Sequence, residues 1–292
     1  MKIAIYGRPV SRGSEDTIQD LLRTLSGEGV EVVMYQPLRD FLAERKVLEV
    51  EPSGWFNAHD DIIGKADMMF SLGGDGTFLE AVSIVQDYGI PIIGINTGRL
   101  GFLADIPSDR VDDSLARIFR QEYTVENRSL VHLELIGEKL EGFCCALNEV
   151  SVQKLHSSML TIHTYLNDDY LNSYWADGLI ISTPTGSTAY SMSVGGPILP
   201  PGSGNFVVSA MSPHTLSIRP LVIPDDKRIR IEVESREGSY LMTLDSRSEV
   251  LDGRVKLLLK KADFTIKTVR LKGATFYNTL RNKLMWGVDK RN

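Results

Sequence analysis

Two cysteines in 292 residues, side by side at Cys144 and Cys145, leave no framework for structural disulfides, because chain neighbours do not form an ordinary bridge. A reduced, cytoplasmic compartment suits such a chain. Long apolar runs are missing too. None approaches the roughly 18 residues that span a bilayer, and the opening stretch Met1 to Gly7 reads as a buried strand rather than a signal peptide. No membrane partner is expected. Positive charge is in short supply: Asp and Glu outnumber Lys and Arg 38 to 32, a formal net charge of −6, which argues against a general nucleic-acid binder. The five histidines fall at no metal-site spacing, and His156 and His163 read as structural or solvent-facing members of strands. Two phosphate-binding signatures are absent as well. There is no G-x-x-x-x-G-K-[ST], which excludes a P-loop enzyme, and Gly74 to Leu79 lacks the third glycine of the Rossmann fingerprint.

What is present is ordinary globular material, 42% hydrophobic and 24% charged, at a length that suits about two domains. The first 120 residues alternate strand and helix. Lys2–Tyr6, Val30–Tyr35, Met68–Leu72 and Ile90–Ile95 read as strands. Glu15–Leu25, Phe41–Leu48, Phe78–Tyr88 and Val111–Phe119 read as helices. That alternation implies an α/β N-terminal domain with a mostly parallel sheet. From about residue 121 the texture changes to strands with few helices between them: 130–136, 142–153, 158–166, 179–182, 206–210, 229–234, 240–244 and 255–259. A β-rich, sandwich-like C-terminal domain over 121–269 follows. The terminal segment 270–292 returns to helical spacing through Phe276, Leu280 and Leu284 and is expected to pack back on the first domain.

The stretch that carries chemistry begins at Met68. An apolar strand runs into Gly73, Gly74, Asp75, Gly76 and Thr77, and a helical pattern follows at once, with Thr77 and Glu80 at capping-box spacing. Strand, glycine turn and helix present backbone N–H groups to a phosphate, and glycines allow close approach of the main chain. A carboxylate repels phosphate, so Asp75 is either badly placed or there for chemistry. The bland reading of Gly73–Thr77 is a tight strand–helix connection with no ligand. In open α/β sheets ligands bind at the carboxyl ends of strands, where this turn and the segment Asn96-Thr97-Gly98-Arg99-Leu100-Gly101-Phe102 both fall.

Two further constellations weigh against the bland reading. Asp177 through Ser191 is again an apolar strand followed by a turn rich in hydroxyls and glycine, and it opens a short helical piece ending at Gly195-Gly196-Pro197. Hydroxyls and free N–H groups at a helix start suit phosphate, ribose or carboxylate. Asn148-Glu149 places an amide beside a carboxylate, a pair able to read a base edge or ribose hydroxyls, although a turn or surface pair is the plainer alternative.

Taken in order and spacing, Gly73–Thr77, Asn96–Phe102, Asn148-Glu149 and Asp177–Pro197 resemble the NAD kinases, and Pro213-His214, Leu216-Ser217 and Arg219-Pro220-Leu221-Val222 look like a further segment of that family. The Gly-Gly-Asp-Gly core also occurs in lipid kinases and phosphofructokinases, whereas the long stretch from Asp177 is specific. The resemblance spans nearly the whole chain. It implies phosphoryl transfer from ATP, or another phosphoryl donor, to the 2′-hydroxyl of the adenosine ribose of NAD, giving NADP. It also implies a divalent metal, usually Mg²⁺, a site between two domains, and assembly as a homodimer or homotetramer. On the same footing Asp75 corresponds to the general base, and Gly73, Gly74, Gly76 and Thr77 form the phosphate loop. Asp75, Gly76, Phe102, Asn148, Glu149, Asp177, Thr188, Ala189, Tyr190, Ser191, Met192 and Ser193 correspond to NAD-contacting positions. No metal ligand is assigned.

Two positions depart from the family. Trp175-Ala176 stands where many relatives carry a basic residue before the Asp-Gly pair. Arg247 follows Asp245-Ser246 where relatives often have glutamine, and its guanidinium is expected to meet a phosphate of the ligand. The competing readings are a lipid kinase of the diacylglycerol or sphingosine type, which would not be expected to carry Asn148-Glu149 with the hydroxyl loop, and a catalytically silent NAD-sensing module, which would have no use for Asp75.

Overall fold

A computed structural model describes residues 1–9, 15–98 and 101–285. The chain forms two compact units, one comprising residues up to Asn127 together with those from Ile266 on, the other Arg128–Thr265.

The first unit begins with β1 (Lys2–Gly7), α1 (Glu15–Gly27), β2 (Glu31–Tyr35), α2 (Gln36–Glu44), β3 (Gly54–Phe56) and α3 (His59–Ile62). It continues with β4 (Met68–Leu72), α4 (Asp75–Val85), β5 (Ile92–Asn96), β6 (Ile106–Pro107) and α5 (Val111–Phe119). Strand β1 pairs in parallel with β2 and β4, β4 with β5, and β2 with β3. The register sets Gly7 beside Leu72 and Leu72 beside Ile95. The segments that follow Gly7, Leu72 and Asn96 therefore leave the sheet at one edge. Buried Ile3, Ile5, Met68, Phe70, Ile93 and Ile95 of the strands pack with Leu21, Leu22 and Leu25 of α1 and Leu115 and Ile118 of α5. Their spacing of two along strands and of three or four along helices is what makes each element one-sided.

Strand β7 (Tyr123–Ile136) carries the chain into the second unit, where β8 (Cys145–Ala146), β9 (Glu149–Gln153), β10 (Leu160–Leu166), β11 (Asp169–Ala176) and β12 (Gly178–Ser182) follow. After the short α6 (Tyr190–Ser193) come β13 (Asn205–Met211), β14 (Leu221–Pro224), β15 (Ile229–Ser235), β16 (Ser239–Leu244) and β17 (Arg247–Asp252). Strand β18 (Lys256–Leu271) returns to the first unit, where α7 (Phe276–Leu284) follows. Within the second unit β10 pairs antiparallel with β11 and β15, and β15 with β18. A second antiparallel sheet runs β14-β13-β12-β9-β16-β17. Ile162, Tyr174, Ile229, Ile231 and Leu257 from the first of these sheets share one buried cluster with Val150, Val152, Leu179, Ile181, Phe206 and Tyr240 from the second. This is sandwich packing, as the alternating patterns require.

Several local expectations shift. Helix α4 starts at Asp75 with Gly74, in extended backbone, as its N-cap, and no side-chain cap is made. A carboxylate in the first turn is stabilised by the helix dipole, so the Thr77–Glu80 capping box gives way, and Glu80 instead accepts from Tyr6 Oη (3.1 Å) and Arg8 Nε (2.7 Å). Helix α2 lies five residues earlier than the 41–48 pattern placed it. Its proline sits at the amino end, where a fixed φ is preorganised, and Lys46 adopts φ 57° just beyond it. The 142–153 strand is broken between β8 and β9. Strands β11, β14 and β17, not foreseen, are exposed along part of their length, which blurs the apolar alternation.

Candidate active site

In the first unit the site is built on the β4–α4 turn. The Gly73 N–H donates to the Ile95 carbonyl (2.9 Å), and a Cβ on Gly73 would lie 2.7 Å from that of Thr77. Only glycine lets the chain turn this tightly. The first helical bond of α4 runs from Phe78 N–H to the Gly74 carbonyl (3.1 Å), so the N–H groups of Asp75, Gly76 and Thr77 precede the helical ladder. They are anion-binding donors by position.

The Asp75 carboxylate is held by a second turn. Oδ2 accepts from Phe102 N–H (2.8 Å), and Oδ1 accepts from Leu103 N–H (2.9 Å) and Ala104 N–H (3.0 Å). That turn is shaped by glycine as well: a Cβ on Gly101 would sit 2.6 Å from Asp75 Cγ and nearer still to Oδ1. Buried Asn96 pins its start, its Oδ1 accepting from Gly98 N–H (2.7 Å). Arg99 and Leu100 lie outside the described residues. The Lys283 ammonium of α7 stands 4.4 Å from the Phe102 ring centroid. Burial pushes its pKa down while the charge of Asp75 pulls it up.

The second unit uses the same device around a different aspartate. Asp245, at the β16–β17 turn with φ 49°, accepts from Leu147 N–H (2.8 Å), Asn148 N–H (2.8 Å) and Glu149 N–H (3.1 Å). These bonds draw 147–148 out of the strand ladder and explain the break between β8 and β9. Burial pushes the Asp245 carboxyl up, against the lowering effect of those three N–H bonds and Arg247. Glu149 is pushed up to about 8, first by burial and then by the charge of Asp245, and its Oε2 is buried without a hydrogen-bond partner.

The β12 turn closes on Asn148. Thr183 N–H donates to the Asn148 carbonyl (2.8 Å), Thr183 Oγ1 donates to the Leu147 carbonyl (2.5 Å), and Gly186 lies so near that a Cβ would overlap the Asn148 backbone. Two hydroxyls of this turn donate within it, Ser187 to the Pro184 carbonyl (2.7 Å) and Thr188 to the Thr185 carbonyl (3.2 Å), while Ser191 pairs with the hydroxyl of Ser209 on β13 (3.3 Å). Buried hydroxyls must find partners, and the main chain supplies them. Ala189 and Met192 are half-buried, whereas Tyr190 and Ser193 are exposed. Asp177 makes an ion pair with Lys154 (2.6 Å). Arg247 is half-buried and donates to the carbonyls of Phe143 and Cys145. Trp175 lines a cavity of about 730 Å³ with Ser157, Thr161, Glu234 and Arg236, and none of the expected NAD-contacting residues is in that lining.

The structure thus gathers Gly73, Gly74, Asp75, Gly76, Thr77 and Phe102 in one unit and Asn148, Glu149 and the 183–193 turn in the other. Sequence reasoning missed Asp245, Thr183 and Lys283. An aspartate between two alternating strands was the available signal for the first. Lys283 carried none, because only folding brings α7 to Phe102.

A glycine turn at a helix start with a held carboxylate inside it defines a phosphotransferase-type site on an α/β unit joined to a β-sandwich. The chain belongs to the NAD kinase family: residues 3–123 match the ATP-NAD kinase N-terminal domain and 147–271 the ATP-NAD kinase C-terminal domain. An NAD kinase of Flavobacterium johnsoniae is 45% identical over 295 residues, with all of both chains covered. One of Cytophaga hutchinsonii is 42% identical with the same coverage. Among solved structures, yeast NADH kinase complexed with NADH superposes with a TM-score of 0.87 at 21% identity, over 99% of this chain and 89% of that one. An NAD kinase from Archaeoglobus fulgidus in complex with ATP gives 0.75 at 24% identity, over 98% and 99%.

Proposed function

We infer that the chain transfers the terminal phosphoryl group of ATP to the 2′-hydroxyl of the adenosine ribose of NAD, giving NADP. The observation that carries this is the Asp75 carboxylate held at the start of α4 by three backbone N–H groups. A carboxylate has about four acceptor positions, so one on Oδ2 is left to take the proton of the attacking hydroxyl. The N–H groups of Asp75, Gly76 and Thr77 receive the donor phosphates, and Asn148, Glu149, Asp177 and 188–193 bind NAD. Glu149, with its pKa near 8, keeps its proton at neutral pH and can donate to a ribose oxygen as well as accept. Arg247 holds the 143–145 backbone in place; its engagement there does not favour the phosphate role expected for it.

Among the described residues no group of three or more His, Cys, Asp or Glu side chains could cage a metal. The residues fit a magnesium ion carried on the triphosphate with water in its shell, as such ions prefer, and Asp75 is the residue that would face it. Such an ion would supply neutralising charge to the donor phosphates. Among the described residues no helix is long and apolar enough to cross a membrane. The two free cysteines support a cytoplasmic setting. Edge strand β11 exposes Tyr170 and Trp175, which supports a homodimer or homotetramer. The match over 147–271 disfavours a lipid kinase, and Asp75 disfavours a silent sensor.

The test is NADP formation from NAD, ATP and magnesium by the purified chain and by Asp75→Asn. General-base help is worth roughly 10²–10⁴ in rate. The variant is expected to lose turnover in that range while its NAD affinity and melting temperature stay close to those of the parent. Near-normal turnover would remove Asp75 from the role of base.

A further inference from the structure

We propose that Lys283 is a catalytic residue whose ammonium contacts the phosphoryl group in flight beside Asp75. The proposal rests on the kinase reading above and adds a side-chain cation to a site that has a base and backbone N–H donors.

The geometry is local to one unit. Lys283 lies in the last turn of α7, and its Nζ stands 4.4 Å from the centre of the Phe102 ring. The backbone N–H of that same Phe102 donates to Asp75 Oδ2 at 2.8 Å. Lysine and aspartate thus meet on opposite parts of one residue, close enough for their charges to interact. Among the described residues no carboxylate lies within 4.0 Å of the ammonium, unlike those of Lys154, Lys260 and Lys261, which are paired at 2.6 to 2.8 Å. Arg8, which follows β1 at this edge of the sheet, is paired with Glu80. A half-buried ammonium set against a ring face is costly at rest, and an anion arriving at the α4 amino terminus offsets that cost.

The step balances as follows. The 2′-oxygen forms its bond to the γ-phosphorus, and the bond from phosphorus to the β–γ bridging oxygen breaks, its electron pair leaving with ADP. The hydroxyl proton goes to Asp75 and then to solvent. Lys283 keeps its own proton and donates a hydrogen bond to a non-bridging oxygen, where negative charge is concentrated in the transition state. Electrostatic stabilisers of this kind contribute about 10²–10³ in kcat.

The experiment compares the unsubstituted chain with Lys283→Met and Lys283→Arg by steady-state kinetics in NAD and ATP, with thermal melts as a check on folding. The methionine variant is expected to lose about 10²-fold in kcat with the KM for NAD changed less than about 3-fold, and the arginine variant to recover a tenth or more of the activity. Should the methionine variant melt early, adding methylammonium to Lys283→Ala supplies the missing charge, and a concentration-dependent rise in kcat is expected. A methionine variant that keeps kcat overturns the proposal. A loss confined to the KM for NAD also overturns it, since lysine would then only hold the Phe102 ring. Absence of NADP from the unsubstituted chain would overturn the kinase reading itself, which separates the two failures.

Discussion

Glu149 shows how one buried group ties stability to pH. Its carboxyl is displaced from 4.5 to about 8, chiefly by burial and secondarily by Asp245. A folded-state pKa above the unfolded one means that the fold binds a proton which the unfolded chain releases in that interval. The stability carried by the protonated group is complete below about pH 4.5 and is lost as pH rises through 8. Glu149→Gln keeps the shape without the titration. It is expected to melt like the parent at pH 5 and above it at pH 9, by on the order of 3 kcal/mol. Thermal melts across that range decide the matter, and parallel curves for parent and variant would count against the buried charge.

At the scale of elements, two hydrogen-bonded clamps shape the turns of the candidate site. Asp75 binds the start of α4 to the turn at 101–104, and Asp245 binds the β16–β17 turn to 147–149. In each, a short carboxylate takes three backbone donors that strand and helix ladders leave over, which keeps buried N–H groups satisfied. The first clamp depends on a missing side chain. Gly101→Ala would put a methyl group against the Asp75 carboxylate and force it off the Phe102, Leu103 and Ala104 donors. Turnover is expected to fall about 10²-fold or more, because a displacement near 1 Å is enough for that. Melting should change by only a few degrees, and kcat measured beside the melting curve tests both halves of the statement.

Across the whole molecule the parallel α/β unit and the antiparallel sandwich each close their own core. Both cores are built of apolar side chains, and among the described residues no group of three or more His, Cys, Asp or Glu side chains is placed to hold a metal. Removing magnesium with EDTA is therefore expected to abolish NADP formation and leave the melting temperature of the substrate-free protein within about 1 °C. A large fall in melting temperature on chelation would point to a structural ion instead.

Much of this was legible in the amino acids. The change from helix-and-strand alternation to strand after strand near residue 121 announces two kinds of sheet, because the periods 3.6 and 2 are properties of local geometry. Gly73–Thr77, Asn148-Glu149 and the 177–193 stretch stand out because glycine, amide and hydroxyl side chains have few other reasons to follow apolar strands. What only the tertiary structure decided is where side chains spend their bonding capacity. The start of α4 at Asp75, the return of Glu80 to Arg8, the hydroxyls of Ser187 and Thr188 turned to carbonyls, and Arg247 bound to the 143–145 backbone all follow from groups far apart in the chain. So do the Asp245 clamp and the approach of Lys283 to Phe102, 181 positions away in the numbering. A residue's type limits what it can donate or accept; which partner it meets is settled by packing, and packing is not local.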